Sequence, residues 1–484
     1  MPLEVLYSLL YGVLLLGGSM HVLLHKRDPR SAALWLLLLL TLPVGGLVLY
    51  LLFGVDRVAR RALLKEVANQ QIRQALHAAQ PGVGLRSTQP GPPPRREEPR
   101  IPQPPPRFEP VLSRLCALPL LSGNRIRWMS QGDHVYARML SAIENARHHV
   151  HLETYIFQPD RVGRQLVELM IEKAAQGVEV RVLYDTIGST DALWFMEEVA
   201  RTRVKVAEFS PLNPFKRGWQ VNLRNHRKLL VVDGQLAFTG GMNINEKHLI
   251  DHPLLTRVRD YHFQVEGPVV RQMQEWFVED WYYARGEKLL APAYFPSLPP
   301  QGEVDARVIT AGPDGDYEAL YRVILAAIAY ASERVYLVTP YFIPDQGLLT
   351  TLQLAAARGV EITLVLPGHS DHPFVSWASR AYYEPLLRAG IRIYERGAPF
   401  LHAKVMVVDD AWALVGSSNM DIRSFRLNFE ANLELRSPSF IETLLRAIAE
   451  EIEASTRVEA SLFYHRPTWR VLGERTCALL SPLL

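Results

Sequence analysis

The chain has 484 residues, a formal net charge of +3 and two cysteines. This length gives room for two or three domains, and the nearly balanced charge argues against a strongly basic nucleic-acid-binding protein. Cys116 and Cys477 lie far apart in the sequence, so neither a disulfide framework nor a zinc site is predicted.

The first 60 residues predict a membrane anchor. Residues 3–24 and 31–53 are mostly apolar, and each run exceeds the roughly 20 residues that cross a bilayer as a helix. Because a charged turn at residues 25–30 separates the runs, we expect a transmembrane helical hairpin in residues 1–60. A cleaved signal peptide is the alternative for the first run, although that run lacks a basic start. Basic residues after the second run favour a cytoplasmic position for both ends.

Residues 61–112 predict a helical and proline-rich linker. Eleven prolines fall between residues 81 and 110, and few apolar residues accompany them. This composition favours an extended, semi-rigid tether. The alternative is that the prolines form a ligand for a proline-binding domain.

From residue 113 onward the sequence predicts an α/β fold in two similar lobes. Helical periodicity alternates with β-rich runs, and the order occurs twice, with Gly-Val-Glu-Val at 177–180 and Gly-Val-Glu-Ile at 359–362. We expect lobe 1 over residues 113–300 and lobe 2 over residues 301–465. Each lobe should be an α/β sandwich with a mixed sheet, and the two should be related by a pseudo-two-fold duplication. Residues 466–484 form a tail that suits either a membrane-interfacial helix or packing onto lobe 2.

One short pattern, His-x-Lys-x4-Asp, occurs once in each lobe, with four apolar residues before the aspartate. Its residues are His226, Lys228 and Asp233 in the first copy, and His402, Lys404 and Asp409 in the second. A Gly-x-x-Asn sequence follows each copy and ends at Asn243 and Asn419. The two histidines and the two asparagines are both 176 residues apart, so the repeat indicates a duplicated active site.

The chemistry of these side chains points to phosphoryl transfer. Neutral imidazole can attack phosphorus, and protonated imidazole can protonate a leaving alkoxide. Lysine and asparagine side chains can stabilise charge on the non-bridging oxygens without a metal. On a strand, His226 and Lys228 share a face, whereas Asp233 at an odd offset faces away and is interpreted as a support. The alternative is that these polar residues only cap core strands.

Lysine is rare in this chain, which contains nine lysines among 53 basic residues. Two of the nine, Lys228 and Lys404, occupy equivalent positions in the repeat. Because arginine serves elsewhere as the general cation, this choice indicates that a compact point charge is needed at both positions.

The doubled motif and the sequence around it resemble the phospholipase D superfamily and, more narrowly, bacterial cardiolipin synthases. The similar segments are His-Leu-Glu-Thr-Tyr-Ile-Phe at 151–157, Phe-Thr-Gly-Gly-Met-Asn at 238–243, Val-Thr-Pro-Tyr-Phe-Ile-Pro-Asp at 338–345, and residues 419–430. The resemblance implies two phospholipase D-like lobes around one active site, a phosphohistidine intermediate and no cofactor. It implies a phosphatidyltransferase that converts two phosphatidylglycerol molecules into cardiolipin and glycerol. It also implies a multi-pass protein of the bacterial inner membrane with cytoplasmic lobes.

The resemblance further implies roles for individual residues. The histidines, lysines and aspartates of both motifs become catalytic, with His226 as the nucleophile and His402 as the general acid. Glu430 matches an acidic residue that orients a histidine in the family, and Asp260 is its expected counterpart in lobe 1. The residues predicted to bind substrate are Asn243, Asn419, Glu430 and Asp260.

Three alternative functions stay open on the sequence alone. A phospholipase D that hydrolyses, or that transfers to another alcohol, would use the same chemistry with a different acceptor. A nucleic-acid phosphodiesterase is disfavoured by the apolar start and the small net charge. A membrane scaffold without activity is disfavoured by the two complete motifs. We therefore expect phosphatidylglycerol and the membrane as partners and no nucleic acid, and the sequence leaves the oligomeric state open.

Overall fold

The computed structural model describes residues 3–26, 29–50, 57–79, 108–211, 223–314, 318–370 and 372–479. These residues form two compact units, Met1–Leu64 and Lys65–Leu484. Most of the predicted proline-rich tether falls in residues 80–107 and lies outside the described residues, as do residues 480–484 of the predicted tail.

The first unit consists of apolar helices. They are α1 (Leu3–His25), α2 (Pro29–Thr41) and α3 (Pro43–Leu49). Pro43 begins a new helix, so the second apolar run is divided into helices of 13 and 7 residues. Within the part of the chain that the structure describes, no helix combines the length and the apolar character needed to cross a membrane. The predicted transmembrane hairpin is therefore not confirmed.

Helix α4 (Arg57–Ala79) contributes its residues from Lys65 onward to the second unit. Four of its side chains follow one another at helical spacing and are buried, which is the pattern of a helix that packs along one face. They are Lys65, Asn69, Ile72 and Leu76. Residues 65–79, which the sequence placed in a linker, are thus part of the second unit. The next described helix, α5 (Phe108–Leu115), buries Phe108 beside Trp412 of lobe 2.

Lobe 1 contains short strands and amphipathic helices in alternation. Its strands are β1 (Leu121–Met129), β2 (His149–Thr154), β3 (Glu179–Tyr184), β4 (Lys205–Glu208), β5 (Arg224–Asn225), β6 (Leu229–Val232), β7 (Leu236–Gly240), β8 (Val258–Arg259) and β9 (His262–Glu266). Its helices are α6 (Gly132–Glu144), α7 (Arg161–Ala175), α8 (Leu193–Ala200) and α9 (Val269–Arg285). Local signals fix the helix ends. The Asp160 carboxylate caps α7 by accepting from the Val162 and Gly163 N–H groups, and α9 ends at Gly286 with a φ of 74°.

Lobe 2 repeats this order. Its strands are β10 (Val304–Ala311), β11 (Arg334–Val338), β12 (Phe342–Ile343), β13 (Glu361–Pro367), β14 (Arg392–Arg396), β15 (Phe400–Leu401), β16 (Val405–Val408), β17 (Trp412–Gly416), β18 (Met420–Asp421), β19 (Asn428–Arg436) and β20 (Ser455–Arg457). Its helices are α10 (Ala319–Tyr330), α11 (Gln346–Ala357), α12 (Pro373–Arg380), α13 (Tyr383–Arg388), α14 (Ile422–Arg426) and α15 (Pro438–Glu453). The four-residue apolar runs of both motifs form the buried strands β6 and β16.

One continuous sheet joins the two lobes, and its strand order shows the duplication. Strands β1 and β10 pair antiparallel at the junction. Outward from them the order is β1-β9-β7-β6-β2-β3-β4 in lobe 1 and β10-β19-β17-β16-β11-β13-β14 in lobe 2. The inner strands pair antiparallel, whereas β2-β3-β4 and β11-β13-β14 pair parallel. The predicted duplication with mixed sheets is confirmed.

Helices cover both faces of the sheet, which explains why all residues of β2 are buried. On one face, Val150 and Leu152 belong to an apolar core that includes residues of α6 and α7. On the other face, the His151 ring stacks on Phe277 of α9, with ring centroids 4.4 Å apart. The alternation of side chains along the strand therefore supplies both packing layers.

The C-terminal helices are α16 (Ala460–Tyr464) and α17 (Thr468–Leu479), and α17 packs against α12 of lobe 2. Between α12 and α17 lies a groove of about 540 Å³ with apolar walls. Its rim exposes Phe374, Trp469 and Leu472, whose exposed fractions are 67%, 63% and 68%. The tail therefore packs onto lobe 2 and still presents an apolar surface.

Candidate active site

Each motif histidine follows a short strand that pairs with a strand of the other lobe. Strand β5, which precedes His226, pairs with the start of β19 in lobe 2, and β15, which precedes His402, pairs with β8 in lobe 1. The backbone N–H of His226 donates to the Phe429 carbonyl at 2.9 Å. The backbone N–H of His402 donates to the Arg259 carbonyl at 2.7 Å. Each histidine is therefore held in place by the backbone of the opposite lobe.

The residue after each of these carbonyl groups is a buried acid that reaches across to the same histidine. His226 Nδ1 lies 3.0 Å from Glu430 Oε2, and His402 Nδ1 lies 2.6 Å from Asp260 Oδ2. Each carboxylate thus engages the histidine of the other lobe through Nδ1. The sequence analysis placed Glu430 and Asp260 among the substrate-binding residues. In the structure both carboxylates contact the histidines directly.

The motif lysines lie beside the histidines of their own lobe. Lys228 Nζ donates to the His226 carbonyl at 2.6 Å. Lys404 Nζ lies 2.9 Å from His402 Nδ1 and also donates to the His402 carbonyl. Each histidine and lysine lies between two strands and not on either. The first pair follows β5 and precedes β6, and the second follows β15 and precedes β16. The predicted proximity of histidine and lysine is nevertheless present in both lobes.

The structure does not bring the motif aspartates to the histidines. Both follow the far end of a strand that is about 13 Å long, and both accept hydrogen bonds from three consecutive backbone N–H groups. The donors are Arg147, His148 and His149 for Asp233, and Ser332, Glu333 and Arg334 for Asp409. Their φ values of 53° and 50° place both in the left-handed region, where aspartate is tolerated. This geometry supports a structural role and gives no support to grouping them with the catalytic residues.

The two asparagines occupy equivalent places with different surroundings. Asn243 is buried, and its Oδ1 accepts from the Ile156 N–H at 3.2 Å. Asn419 is also buried, but its Oδ1 has no hydrogen-bond partner among the described residues. A buried amide oxygen without a partner is costly, so a bound group that donates to it would be stabilising. The lobe 2 asparagine is therefore the less constrained of the pair.

Sequence reasoning missed the residues that hold the orienting acids. Ser417 Oγ donates to Glu430 Oε2 at 2.5 Å, and Ser424 Oγ donates to Oε1 at 3.0 Å. Gly241 stands at the position in lobe 1 that corresponds to Ser417, and a Cβ added there would lie 2.1 Å from Asp260 Oδ1. The available signal was the difference between Gly241 and Ser417 at the same position of the two Gly-x-x-Asn tails.

Two tyrosines also border the histidines. The Tyr155 ring lies 4.9 Å from the His226 ring, and the Tyr341 ring lies 6.2 Å from the His402 ring, both edge-on. Tyr155 also lies under the Lys228 ammonium group, with Nζ 5.5 Å from the ring centroid. Both tyrosines were visible in the segments that carried the family resemblance, but only as part of those segments.

Burial and mutual charge set the ionisation of the site. Burial lowers the pKa of His226, and it lowers that of Lys228 to about 7 with help from the Lys404 charge. Burial would raise the pKa of Glu430, but His226 and Lys228 outweigh it and hold that pKa below its ordinary value. For Asp260 burial prevails and raises the pKa, although Lys404 opposes it. Within the described ranges, no group of three or more histidine, cysteine, aspartate or glutamate residues could hold a metal ion.

Comparison with known proteins gives a consistent result. The family model described as "Cardiolipin synthase, PLD-like domain" matches residues 139–281 and 324–452, and "Phospholipase_D-nuclease N-terminal" matches residues 13–54. Cardiolipin synthase of Geobacillus kaustophilus is 35% identical over 99% of this chain and 94% of its own length. Cardiolipin synthase 2 of Bacillus anthracis is 34% identical over 96% of this chain and 88% of its own length.

Among solved structures, phosphatidylserine synthase of Haemophilus influenzae Rd KW20 shares the fold. Its TM-score is 0.59 at 16% identity, and the match covers 78% of this chain and 98% of that one. The two segments of the first family model fall one in each lobe, so both lobes are recognised separately. The chain therefore belongs to the cardiolipin synthase family of phospholipase D-like proteins.

Proposed function

We propose that the chain is a phosphatidyltransferase that joins two phosphatidylglycerol molecules into cardiolipin and releases glycerol. The observation that carries this proposal is the reciprocal pair of histidines, each bound through Nδ1 to a buried carboxylate of the other lobe. In such a pair, one imidazole would attack the phosphodiester and the other would transfer the proton. The cardiolipin synthases that match over nearly the whole chain support the same reaction.

In the first step, His226 Nε2 attacks the phosphorus of one phosphatidylglycerol. The P–N bond forms while the bond from phosphorus to the headgroup glycerol oxygen breaks. Protonated His402 gives its proton to that oxygen, and free glycerol leaves. The lowered pKa of His226 supports its assignment as the nucleophile, because attack requires the neutral imidazole.

In the second step, the headgroup hydroxyl of another phosphatidylglycerol attacks the phosphohistidine. His402, now neutral, takes the hydroxyl proton, the new P–O bond forms, and the P–N bond to His226 breaks to release cardiolipin. Microscopic reversal of the same proton transfer explains why one general acid–base group serves both steps. The alcohol must prevail over water, which a site of largely buried side chains favours.

The remaining polar groups stabilise the phosphorane-like transition state. Lys228 and Lys404 carry compact charges next to the histidines and suit the non-bridging oxygens. The Asn419 amide, which is buried with an unpartnered oxygen, is suited to orient the incoming headgroup. The Asn243 side chain is held by the Ile156 N–H, so its amide is suited to bind the phosphate in a fixed orientation.

We also propose that the chain acts at the bacterial inner membrane. Residues 1–60 would be the anchor, and lobes 113–300 and 301–465 would face the cytoplasm. Support comes from the matched N-terminal segment at 13–54 and from the apolar sequence around it. The exposed aromatic rim of the α12–α17 groove suits the bilayer interface.

The test uses the detergent-purified chain, labelled phosphatidylglycerol and separation of the lipid products. The wild-type chain should form cardiolipin and free glycerol in equal amounts, and both His226→Ala and His402→Ala should abolish the reaction while the proteins stay folded. Phosphatidic acid as the main product would identify a hydrolase. Turnover that survives in either variant would contradict a site shared by both motifs.

A further inference from the structure

A lysine of helix α4 is buried against residues of both lobes. Lys65 Nζ lies 2.9 Å from Asp280 Oδ1 and 3.4 Å from Asp314 Oδ2, and its side chain is 1% exposed. Lysine is almost never fully buried unless it is paired. The ion pair with Asp280, at the end of α9, therefore accounts for the position of this side chain.

The ion pair continues toward the active site. Asp280 Oδ2 lies 2.5 Å from an Arg227 guanidinium nitrogen, and Arg227 Nε donates to the Glu430 carbonyl at 3.2 Å. Arg227 is the residue between His226 and Lys228, and Glu430 is the acid that binds His226 Nδ1. Two contacts thus separate the Lys65 ammonium group from the segment that carries the catalytic histidine.

The Phe429 ring adds a second connection. Lys65 Nζ lies 4.7 Å from its centroid, and the Arg227 guanidinium carbon lies 5.7 Å from it. Phe429 also accepts the backbone hydrogen bond of His226. Both cations therefore pack on the residue that holds the His226 backbone, so their positions are linked to that of the histidine.

Asp280 needs both cations because it lies in a group of buried acids. Glu153 is also fully buried, and burial together with the nearby Asp280 charge raises its pKa well above the ordinary value. Burial opposes ionisation of Asp280, but Arg227 and Lys65 outweigh it and lower its pKa to about 2. Removal of one cation leaves a buried carboxylate incompletely paired, a situation that the surrounding structure relieves by moving.

In lobe 2, a buried carboxylate is paired with cations without a contribution from helix α4. The second motif has Ala403 where the first has Arg227. In lobe 2, the buried Glu451 carboxylate is held by Arg259 at 2.5 Å and by Arg396 at 2.7 Å, and both arginines belong to the two lobes themselves. Among the described residues, the buried cation that comes from outside the lobes is Lys65, and it lies on the His226 side.

We propose that Lys65 is a positioning residue for His226, which it fixes through Asp280 and Arg227. The part of α4 from Lys65 onward is then an integral part of the catalytic body. Residue 65 lies in neither segment of the cardiolipin synthase family model nor in the N-terminal match. The inference rests on the proposed phosphatidyl transfer only for its assay.

The experiment compares full-length Lys65→Met, Lys65→Arg and Arg73→Met with the wild-type chain. Arg73 is the matched control, because it also joins α4 to lobe 1, through Glu279, the neighbour of Asp280, at 2.6 Å. Turnover is measured as cardiolipin plus phosphatidic acid, so that a chain which hydrolyses its substrate also tests Lys65. Thermal unfolding midpoints are measured in parallel.

We expect Lys65→Met to lower kcat at least tenfold with an unchanged KM, and Lys65→Arg to restore most of the loss. Arg73→Met should lower the unfolding midpoint without lowering kcat. Wild-type kcat in folded Lys65→Met, or equal losses of kcat in Lys65→Met and Arg73→Met, would overturn the proposal. A wild-type chain that forms phosphatidic acid alone would contradict the proposed synthase and leave this comparison valid.

If Lys65→Met does not fold, the double variant Lys65→Met/Asp280→Asn removes the unpaired carboxylate together with its cation. A folded double variant with low kcat and unchanged KM supports positioning through the ion pair. A folded double variant with wild-type kcat shows that Lys65 only neutralises Asp280, and it overturns the proposal.

Discussion

The two lobes share strand order and motif, but they surround their histidines with different chemistry. Lobe 2 supplies Glu430, held by serine hydroxyl groups, to the histidine of lobe 1. Lobe 1 supplies Asp260, packed against Gly241, to the histidine of lobe 2. The pKa of the first acid is lowered and that of the second is raised. The duplicated fold has thus placed unequal acids beside the two histidines, and this difference suits the proposed division into one nucleophile and one general acid.

The largest expected effect distinguishes the two histidines directly. His226→Ala and His402→Ala should each lower turnover of phosphatidylglycerol by about 10⁴-fold or more. With phosphatidyl-p-nitrophenol, whose leaving group needs no proton, His402→Ala should still release one equivalent of nitrophenolate in a burst. His226→Ala should show no burst, since it cannot form the phosphohistidine. A burst in His226→Ala alone would reverse the two roles.

The next effect compares the orienting acids. Glu430→Gln and Asp260→Asn should each lower kcat by about 10²–10³-fold, within the range of general acid–base contributions. The loss should be larger for Glu430→Gln, because Glu430 is held ionised whereas burial favours the neutral form of Asp260. Steady-state kinetics on folded variants measures the difference. Equal losses would show that the two acids act alike.

A smaller effect concerns the pH dependence of the two lysines. The pKa of Lys228 is lowered to about 7, so its ammonium charge is present below that pH and is lost as the pH rises through it. We therefore expect kcat/KM to fall above about pH 7. Lys228→Arg should move this alkaline limb to higher pH, because arginine keeps its charge. Lys404→Arg serves as the matched control, and a limb that moves only in this variant would contradict the assignment.

The smallest effect concerns the motif aspartates, where the lobes should behave alike. Asp233→Asn and Asp409→Asn should each lower the free energy of unfolding by about 1–3 kcal/mol, because each weakens three backbone hydrogen bonds. Asparagine tolerates the same φ, so the substitution tests the hydrogen bonds alone. Urea unfolding provides the measurement. A loss of turnover as large as that of Glu430→Gln would return the aspartates to the catalytic group.

The sequence predicted those features that depend on local patterns. Strands β6 and β16 coincide with the apolar runs of the motifs, and the odd offset of Asp233 and Asp409 indicated that they point away from the histidines. The division of the second apolar run at Pro43 was not anticipated, although proline at the first turn of a helix is a common start.

Features that depend on distant partners were not predictable in the same way. His226 and Glu430 are 204 residues apart, and a periodic pattern in one lobe carries no information about which acid of the other lobe will meet it. Asp260 was identified by resemblance and not by spacing. Lys65 falls in the predicted linker of residues 61–112, and no local pattern indicated its burial. Its burial depends on Asp280, more than 200 residues later.

The exchange of acids across the lobes has a consequence for dividing the polypeptide. A gene cut between α9 and β10 would produce two halves, each with a complete motif and each lacking the acid that its histidine needs. Each half would also expose the edge of β1 or β10, which normally pair with each other. Separate halves should be inert, and enzyme activity should return only on their reassociation. The chain would then serve as a reporter whose product is a membrane lipid.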